Sequence, residues 1–392
     1  MSNRALGILE TRGMAALMAA ADAMLKRAEV SLCGRQGIGT GWLTLLIEGE
    51  TAPVNAALRV GVAAARQHGE VIFERVVPLP EHRAVAAMPH DREICQRRAD
   101  DGLAVGLLET QGVTPLMVGT DAMADAADVE IAGWTYIGGA LSHVLVRGEV
   151  ASVQAALAAG QEAACRAGDL HASLVLPQPH PAVAALYPPP PAGQPQAAGD
   201  RVVGALGVVE STGYAGSVAA VDGMIKMASV DVVRLAIGSG GRVAALVTGP
   251  LADVTAAVEA GASAAADAAE CNGQAVISGP DAQTMACFAH VEATPRRVAP
   301  EPPRHALGLL ETRSTIGLVM GVDEMLKNAE VEFEGRHKVG YFLTAAVIRG
   351  DVGAVQLALD RGAEVARQYG ELVAAHLIAL PFSEMEERLP HA

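Results

Sequence analysis

Aromatic side chains are scarce in this sequence: Phe, Trp and Tyr make up 3% of its 392 residues, although 51% of the residues are hydrophobic. Alanine and glycine carry much of the apolar content, and such small side chains favour close backbone packing over deep pockets lined with aromatic rings. Basic residues are in the minority, and the formal net charge at pH 7 is −15. Because a general nucleic-acid binder needs a basic face to neutralise phosphates, this composition argues against that function class.

Cysteine is also rare, with five residues in the chain. They are Cys33, Cys95, Cys165, Cys271 and Cys287. Their odd number, without the paired spacing of metal ligands, indicates reduced thiols in a cytosolic protein. The first residues lack the apolar core of a signal peptide, and no uncharged apolar run approaches the roughly 18 residues of a membrane span. We therefore expect a cytoplasmic protein that binds neither membranes nor nucleic acid.

One pattern of residues occurs four times along the chain. Residues 5–11, Ala-Leu-Gly-Ile-Leu-Glu-Thr, recur in closely similar form from Ala104, Ala205 and Ala306, after shifts of 99, 200 and 301 positions. The same shifts bring further landmarks into register. These are Asp22, Met24, Gly49, Gly61 and Pro80, each with three counterparts. Landmarks that keep register over about 75 residues in four copies predict four tandem domains with one fold.

Each copy predicts the order βαββαβ, from apolar runs of strand length, alanine-rich stretches with helical spacing and the Gly and Pro residues between them. In the first copy we predict a strand ending in Glu10-Thr11, a helix over 13–28, strands over 30–33 and 42–47, a helix over 52–68 capped by Gly69, and a strand over 71–77 that stops at Pro78 and Pro80. This order predicts the α+β class: four tandem ferredoxin-like domains, with the helices on one face of a mostly antiparallel sheet.

A proline-rich segment lies in the middle of the chain. Residues 187–199 include a run of four prolines, which is typical of a semi-rigid extended spacer. The segment is the main predicted boundary and divides the chain into two halves of two domains. We place domain 1 at 1–82, domain 2 at 101–181, domain 3 at 201–290 and domain 4 at 303–385, with the linker between the halves at 182–200.

Four strings of residues are recognisable in these copies. They are 306–313 (Ala-Leu-Gly-x-x-Glu-Thr-Arg), 323–331 (Asp-x-Met-Leu-Lys-x-Ala-Glu-Val), 38–41 (Ile-Gly-x-Gly) and 349–355 (Arg-Gly-Asp-Val-Gly-Ala-Val). In their order and spacing they resemble the shell domain of bacterial microcompartments, the BMC domain. The resemblance implies flat tiles of six domains that pack with other shell proteins into a protein shell. It also implies an axial pore through which small metabolites pass, and no catalysis.

The resemblance implies a lysine at the edge of the tile, where it donates hydrogen bonds to backbone carbonyls of the neighbouring tile. This lysine falls on Lys26, Lys226 and Lys327, whereas domain 2 has Asp125 at the same position. The edge of domain 2 is then expected to pair differently or not to be a lattice edge. The alternative interpretation is that all four are solvated side chains near the end of a helix.

The resemblance also assigns the turn between the second and third strands of each domain to the pore. The pore turns are Gly39, Thr40 and Gly41; Gly138, Gly139 and Ala140; Gly238, Ser239 and Gly240; and Gly340, Tyr341 and Phe342. Six domains leave room only for small residues on an axis, and exposed N–H groups there attract anions. We expect Tyr341 and Phe342 to narrow the opening, and Arg242 and Lys338 to make it more cationic. An ordinary glycine hairpin is the alternative; a phosphate-binding loop is disfavoured because a strand follows the turn.

Other recurring residues favour structural roles. Glu10 and its counterparts Glu109, Glu210 and Glu311 follow the first strand, where a carboxylate can satisfy free N–H groups of a helix. Gly61 and its counterparts each interrupt a helix at a cost of about 1 kcal/mol relative to alanine, which indicates close packing on a neighbouring element. The histidines share no register or ligand spacing, and no nucleophile–base pair recurs. We therefore expect no cofactor, no metal and no catalytic residue.

Four domains do not fill a ring of six positions, but three chains supply twelve domains, enough for two rings. We expect a homotrimer of two stacked pseudohexameric rings, with the first half of each chain in one ring and the second half in the other. In the runner-up arrangement the two halves join different tiles. The competing function class is a tandem ferredoxin-like regulatory protein that binds a small molecule at domain interfaces. An enzyme is the third class, and no constellation of residues supports it.

Overall fold

The computed structural model describes residues 4–80, 101–187, 204–237, 240–289, 305–339 and 343–381. The strands are β1 (Ala5–Arg12), β2 (Val30–Gly39), β3 (Trp42–Gly49), β4 (Glu70–Val77), β5 (Ala104–Gln111), β6 (Glu130–Gly138), β7 (Leu141–Gly148), β8 (Asp169–Leu176), β9 (Ala205–Thr212), β10 (Asp231–Ile237), β11 (Arg242–Gly249), β12 (Cys271–Ser278), β13 (Ala306–Thr312), β14 (Glu332–Val339), β15 (Leu343–Gly350) and β16 (Leu372–Ile378). The long helices are α1 (Met14–Arg27), α2 (Thr51–Ala65), α3 (Val113–Ala126), α4 (Val150–Ala167), α5 (Gly213–Met227), α6 (Leu251–Ala268), α7 (Thr315–Asn328) and α8 (Val352–Tyr369). Each domain therefore has the order βαββαβ.

Every domain contains one four-stranded sheet. In domain 1 the strand order is β2-β3-β1-β4, and the other three sheets repeat it. All pairs in these sheets are antiparallel. The two helices of domain 1 pack on each other and on β1, so they lie on the same face of the sheet. The predicted ferredoxin-like fold is confirmed in all four copies.

The ends of two elements differ from the prediction. Helix α2 ends at Ala65 with Arg66 as its cap, so the expected cap at Gly69 was wrong for domain 1. Glycine does cap the corresponding helices of domains 2 and 4, at Gly168 and Gly370. Strand β2 continues to Gly39, well beyond the predicted end at residue 33, because two register shifts along β2 accommodate its glycines within the ladder.

The interrupting glycines lie where the two helices of each domain cross. A Cβ built on Gly61 would lie 2.2 Å from Cε of Met24, and one on Gly362 would lie 2.4 Å from Cγ of Met325. Domains 2 and 3 have the same pair, Gly160 with Met123 and Gly261 with Met224. The helix-breaking cost of glycine is therefore offset by an approach that no other residue permits.

The chain divides into two compact units. The first contains residues 1–111, 115–200 and 281–287, and the second contains residues 112–114, 201–280 and 288–392. Within the part of the chain that the structure describes, no helix combines the length and apolarity that crossing a membrane requires. The four cysteines in this part form no disulfide.

In the first unit, strand β5 of domain 2 is buried on both faces. Gly106 faces the helices of its own domain, since a Cβ built there would lie 2.8 Å from Cγ1 of Val153 on α4. Val105 and Leu107, which alternate with Gly106, share one hydrophobic cluster with α1 of domain 1. Burial on both faces explains why the strand reads as an uninterrupted apolar run. The outer sheet face of domain 2 therefore covers the first helix of domain 1.

The second unit repeats this arrangement. Leu307 and Leu309 of β13 share a hydrophobic cluster with α5 of domain 3. Leu310, which points to the opposite face, belongs to the separate cluster of domain 4 itself. In each unit, the sheet of the trailing domain thus buries the first helix of the leading domain.

Candidate pore turns and domain contacts

The turns assigned to the pore have a backbone that side chains rarely adopt. In domain 1 the φ angles are +92° at Gly39, +53° at Thr40 and +82° at Gly41. In domain 2, Gly138, Gly139 and Ala140 follow with +99°, +61° and +65°. Left-handed backbone at consecutive residues is the conformation of a tight primed hairpin turn. The turns are therefore compact enough for other backbone to approach them.

In the first unit the two turns lie directly against each other. A Cβ built on Gly138 would lie 2.9 Å from the backbone nitrogens of Thr40 and Gly41. A Cβ on Gly139 would lie 2.5 Å from the carbonyl oxygen of Thr40. Contact of backbone with backbone requires glycine at these positions. The structure thus brings together the predicted pore residues of domains 1 and 2.

In the second unit, fewer of the predicted pore residues can be placed. Gly240 is exposed, with φ of +69°. A Cβ on the next residue, Gly241, would lie 2.4 Å from Cδ1 of Leu343 at the start of β15, so the turn of domain 3 also packs closely against domain 4. Arg242 follows at the start of β11 and is half-buried. The remaining turn residues Gly238, Ser239, Gly340, Tyr341 and Phe342, and the side chain of Lys338, lie outside the described residues.

A substitution at Gly139 tests the close approach of the two turns. We expect Gly139→Ala to lower the free energy of unfolding by about 2 kcal/mol, because its Cβ would displace the backbone of Thr40. Gly102→Ala is the matched control, since Gly102 has a similar φ of +72° but a Cβ built there would meet no atom within 4 Å. Urea unfolding of both variants measures the difference. Equal losses would show that backbone strain, and not the contact, is responsible.

The predicted tile-edge lysines are held by carboxylates one helical turn earlier. Nζ of Lys26 lies 2.7 Å from Oδ2 of Asp22, and the lysine side chain remains 45% exposed. Lys226 and Lys327 form the same pair with Asp222 and Asp323. Such pairs at i and i+4 stabilise a helix by a few tenths of a kcal/mol and orient the ammonium group. Each lysine is therefore paired within its own helix, and its side chain remains partly exposed.

Domain 2 replaces this ion pair with two carboxylates. Asp121 is buried and accepts a hydrogen bond from the N–H of Asp281 at 2.8 Å. Burial raises the pKa of Asp121 to about 6; the N–H of Asp281 opposes this shift, and the charge of Asp125 adds to it. Asp125, the charge reversal that is predicted to change the edge contact, therefore also destabilises the charged form of the buried Asp121.

Asp125→Lys should relieve this penalty. The folded-state pKa of Asp121, about 6, exceeds the unfolded value of 3.8, so its stabilising contribution is complete below about pH 3.8 and is lost as the pH rises to about 6. A cation at position 125 should lower the folded pKa and raise the free energy of unfolding at pH 7 by about 0.5–1 kcal/mol. NMR titration of Asp121 and urea unfolding measure the two effects. Asp169→Lys, at an exposed position, makes the same change in net charge and should leave the titration of Asp121 unchanged.

Two of the recurring glutamates, Glu109 and Glu311, bind the N-terminus of a helix in the preceding domain and not in their own. In the first unit, Oε1 of Glu109 accepts the N–H of Met14 at 2.7 Å and Oε2 accepts that of Ala15 at 3.3 Å. A shift in strand register next to Glu109 accompanies this arrangement, and it recurs beside Glu10 and Glu311. Glu109 thus has the structural role that the sequence favours, but it binds the helix of the preceding domain. Its position in the sequence alone could not show this.

The second unit contains the same contact. Glu311 accepts the N–H groups of Tyr214 and Ala215 at 2.8 and 3.3 Å. Glu210 accepts from residues 113 and 114 of that unit at 2.9 and 3.3 Å. Burial raises the pKa of Glu109 to about 7 and also raises the pKa of Glu311, while the helix N–H groups oppose both shifts. Glu109 and Glu311 therefore each join the two domains of their own unit through the same contact.

His143 is a buried polar residue that sequence analysis did not single out. Its side chain is fully buried in β7, and neither ring nitrogen has a hydrogen-bond partner among the described residues. Burial lowers its pKa to about 3, and the charge of Arg35 adds to the shift. The counterpart in domain 1 is Thr44, which donates to Glu10 at 3.1 Å. His143 is therefore neutral near pH 7.

The described residues contain no group of three or more His, Cys, Asp or Glu that could hold a metal ion.

The four tandem domains share one fold, a glycine-containing turn and a repeated contact between domains. These shared features indicate that all four belong to one family of domains. A family model described as the BMC domain matches residues 5–80, 104–179, 205–280 and 306–381. The chain therefore belongs to the BMC domain family.

Several curated proteins are similar to parts of the chain. Carboxysome assembly protein CcmO of Synechocystis sp. is 36% identical over 184 residues, which are 45% of this chain and 62% of that protein. Bacterial microcompartment shell protein PduA of Citrobacter freundii is 41% identical over 87 residues, 22% of this chain and 94% of that protein. Bacterial microcompartment shell protein EutM of Salmonella typhimurium is 42% identical over 85 residues, 22% of this chain and 88% of that protein. The match thus spans less than two thirds of CcmO, but most of each single-domain relative.

Proposed function

We propose that this chain is a structural shell protein of a bacterial microcompartment and acts without catalysis, in the shell within the cytoplasm. The observation that carries the proposal is the contact between the pore turns of domains 1 and 2, where the backbone of Thr40 and Gly41 lies against Gly138. If domains 1 and 2 are arranged around a common axis, their pore turns have to meet in this way. The relatives named as shell proteins match single domains of this chain, which supports the same role.

The pore turns line an axial opening for small metabolites. In the first half of the chain, Gly39, Gly41, Gly138 and Gly139 leave little side-chain volume near the axis. In the second half, Tyr341 and Phe342 narrow the opening, while Arg242 and Lys338 make it attractive to anions. The two halves therefore differ in both width and charge at the opening.

Substitution of the two aromatic residues tests this assignment. We expect the double variant Tyr341→Gly, Phe342→Gly to show a wider opening in the tile formed by the second half, measured by electron cryomicroscopy. Thr40→Gly, in the first half, is the control and should leave that opening unchanged. An unaltered opening in the double variant would refute the role of Tyr341 and Phe342 as a plug.

Three chains form a trimer of two stacked rings. Twelve domains fill two rings of six positions, and closed symmetry is the norm for such assemblies. The first half of each chain lies in one ring and the second half in the other, with the proline-rich segment passing between them.

The lysines at the tile edges, Lys26, Lys226 and Lys327, contact further shell proteins. Lys26→Ala should therefore weaken the formation of extended sheets.

Electron microscopy of the purified protein tests the tile and the stacking together. Hexagonal faces, two-layer side views and a mass of three 40.2-kDa chains are the expected result. Single-layer tiles would overturn the stacked trimer but keep the shell tile. Compact particles without a hexagonal face would overturn the tile itself and favour the alternative, a regulatory protein that binds a small molecule at its domain interfaces.

A further inference from the structure

The segment that follows strand β12, residues 281–287, belongs to the first compact unit, where it packs on domain 2. It begins with the short helix Ala282–Thr284, which Asp281 caps by accepting the N–H of Gln283 at 2.8 Å. Asp281, Gln283 and Cys287 are all buried. Because buried polar groups need hydrogen-bond partners, the contacts of this segment with domain 2 decide whether it stays in place.

Side chains from both partners hold the segment against the edge strand of domain 2. Oε1 of Gln283 accepts the N–H of Ile131 at 2.8 Å, and Nε2 of Gln283 donates to the carbonyl of Val129 at 3.1 Å. Nε1 of Trp134, on the same strand β6, donates to the carbonyl of Cys287 at 2.8 Å. The segment therefore satisfies backbone groups that an edge strand otherwise leaves unpaired.

A buried carboxylate of domain 2 binds the first residue of the segment. Oδ1 of Asp121 accepts the N–H of Asp281 at 2.8 Å. The charged groups that face Asp121 are the carboxylates of Asp125, on its own helix, and of Asp281, on the segment; the side chain of Thr284 beside it is neutral. Burial raises the pKa of Asp121 to about 6, and the two neighbouring carboxylates add to the shift. Docking of the segment and ionisation of Asp121 therefore oppose each other.

Domain 1 contains the same contact with a balancing cation. Asp22 accepts the N–H of His180, in the segment that follows domain 2, at 2.7 Å. Nζ of Lys26 lies 2.7 Å from the other oxygen of Asp22. Domain 2 has Asp125 at the position of Lys26, and the segment has Asp281 at the position of His180. Two carboxylates thus accompany the buried aspartate in one copy of the contact, where the other copy has a lysine and a histidine.

We propose that residues 281–287 form a pH-dependent latch on domain 2: the segment stays docked while Asp121 carries a proton and detaches more readily once Asp121 ionises beside Asp125 and Asp281. The pKa of about 6 in the docked state exceeds the ordinary value of 3.8, so the contribution to docking is complete below about pH 3.8 and is lost as the pH rises through 6. The docking equilibrium constant should fall about tenfold between pH 5 and pH 8.

The latch lies where the chain returns from the second compact unit to the first, since the boundary falls between Pro280 and Asp281. In the proposed trimer, this segment is a connection between the two rings in addition to the proline-rich segment. Its release would loosen that connection at weakly alkaline pH and not at acidic pH. This consequence rests on the proposed function, whereas the latch itself does not.

Hydrogen exchange of the full-length protein, followed by mass spectrometry at pH 5 and pH 8, tests the latch. After correction for the intrinsic exchange rates, we expect the protection of residues 281–287 to fall about tenfold between the two pH values. Residues 180–186, which form the corresponding contact on Asp22, are the internal control. A general loss of stability would lower the protection of both segments together, so the ratio of the two protection factors isolates the latch.

A variant that cannot ionise identifies Asp121 as the titrating group. Asp121→Asn keeps an oxygen that can accept the N–H of Asp281, so the protection of residues 281–287 should become independent of pH. The protection of residues 180–186 reports whether the variant folds. Equal protection of residues 281–287 at pH 5 and pH 8 in wild type, or the wild-type loss in Asp121→Asn, would overturn the inference. Neither result would remove the hexagonal faces in micrographs of wild type, on which the shell proposal depends.

A second variant gives domain 2 the cation that domain 1 has. Asp125→Lys should reduce the effect of pH on the protection of residues 281–287, because a lysine then accompanies Asp121. Asp169→Lys makes the same change in net charge at an exposed position and should leave the wild-type response in place. Equal responses of the two variants would show that the charge at position 125 does not control the latch.

Discussion

Glu109→Gln is expected to make the free energy of unfolding less dependent on pH between about pH 4.5 and about pH 7. In the folded state, burial between β5 and the N-terminus of α1 raises the pKa of Glu109 to about 7, although the N–H groups of Met14 and Ala15 favour the charged form. In the unfolded chain the pKa returns to about 4.5. Between these values the folded state retains a proton that the unfolded state has released.

The sign of the effect follows from this difference in bound protons. A group whose folded pKa is raised stabilises the folded state fully below its unfolded pKa and loses that contribution as the pH rises through the folded value. For Glu109 the loss is on the order of 3 kcal/mol between pH 4.5 and 7. Glutamine cannot titrate. The change in the free energy of unfolding between pH 4.5 and pH 7 should therefore be smaller in the variant than in wild type by about 3 kcal/mol.

Urea unfolding at a series of pH values from 4.5 to 7.5 measures the difference. Other groups also titrate in this range. The contribution of Glu109 is therefore the difference between the pH profiles of wild type and Glu109→Gln, and not the slope of either profile. Glu162→Gln is the control, since Glu162 is an exposed residue of α4, and its profile should follow that of wild type. Parallel profiles for wild type and Glu109→Gln would show that Glu109 is not protonated in the folded protein near pH 6.

The repeated domain was predictable because its signals are local. The apolar run from Ala104 to Glu109, the helical spacing that follows and the turn glycines recur four times, so each copy reinforces the others. The glycines at the helix crossing were predictable for the same reason: a residue that weakens a helix in every copy needs a compensating contact, and Met24 supplies it at Gly61. Strand and helix ends were less predictable, since register shifts let β2 run through glycines that have low strand propensity.

The contact between successive domains could not be read from the sequence. Glu109 lies near the end of β5, and the nearest helix along the chain is α3 of its own domain. Its carboxylate nevertheless binds the N-terminus of α1, some 95 residues earlier. Only the arrangement of one sheet on the preceding helix brings these groups together. Asp121 illustrates the same limit, because its environment is set by Asp281, 160 residues later.

Gly61→Val is expected to lower the free energy of unfolding by about 3 kcal/mol, because α1 and α2 cross at this residue. A Cβ at position 61 would lie 2.2 Å from Cε and 2.6 Å from Cγ of Met24, so the helices would have to separate or Met24 would have to leave its buried position. Valine also has a lower helix propensity than most residues. Gly353→Val on α8 is the control, since a Cβ there meets no atom within 4 Å and only the propensity effect remains.

A double-mutant cycle with Met24→Ala separates the contact from other effects of the valine. Met24→Ala alone should cost about 2–4 kcal/mol, since it leaves a cavity between the helices. In the double variant the valine side chain enters that cavity, so the total loss should fall short of the sum of the single losses by at least about 1 kcal/mol. Urea unfolding of the four proteins gives this coupling. Additive losses would show that the close approach of Gly61 to Met24 does not hold the two helices together. A favourable coupling would explain why the same glycine and methionine recur in all four domains.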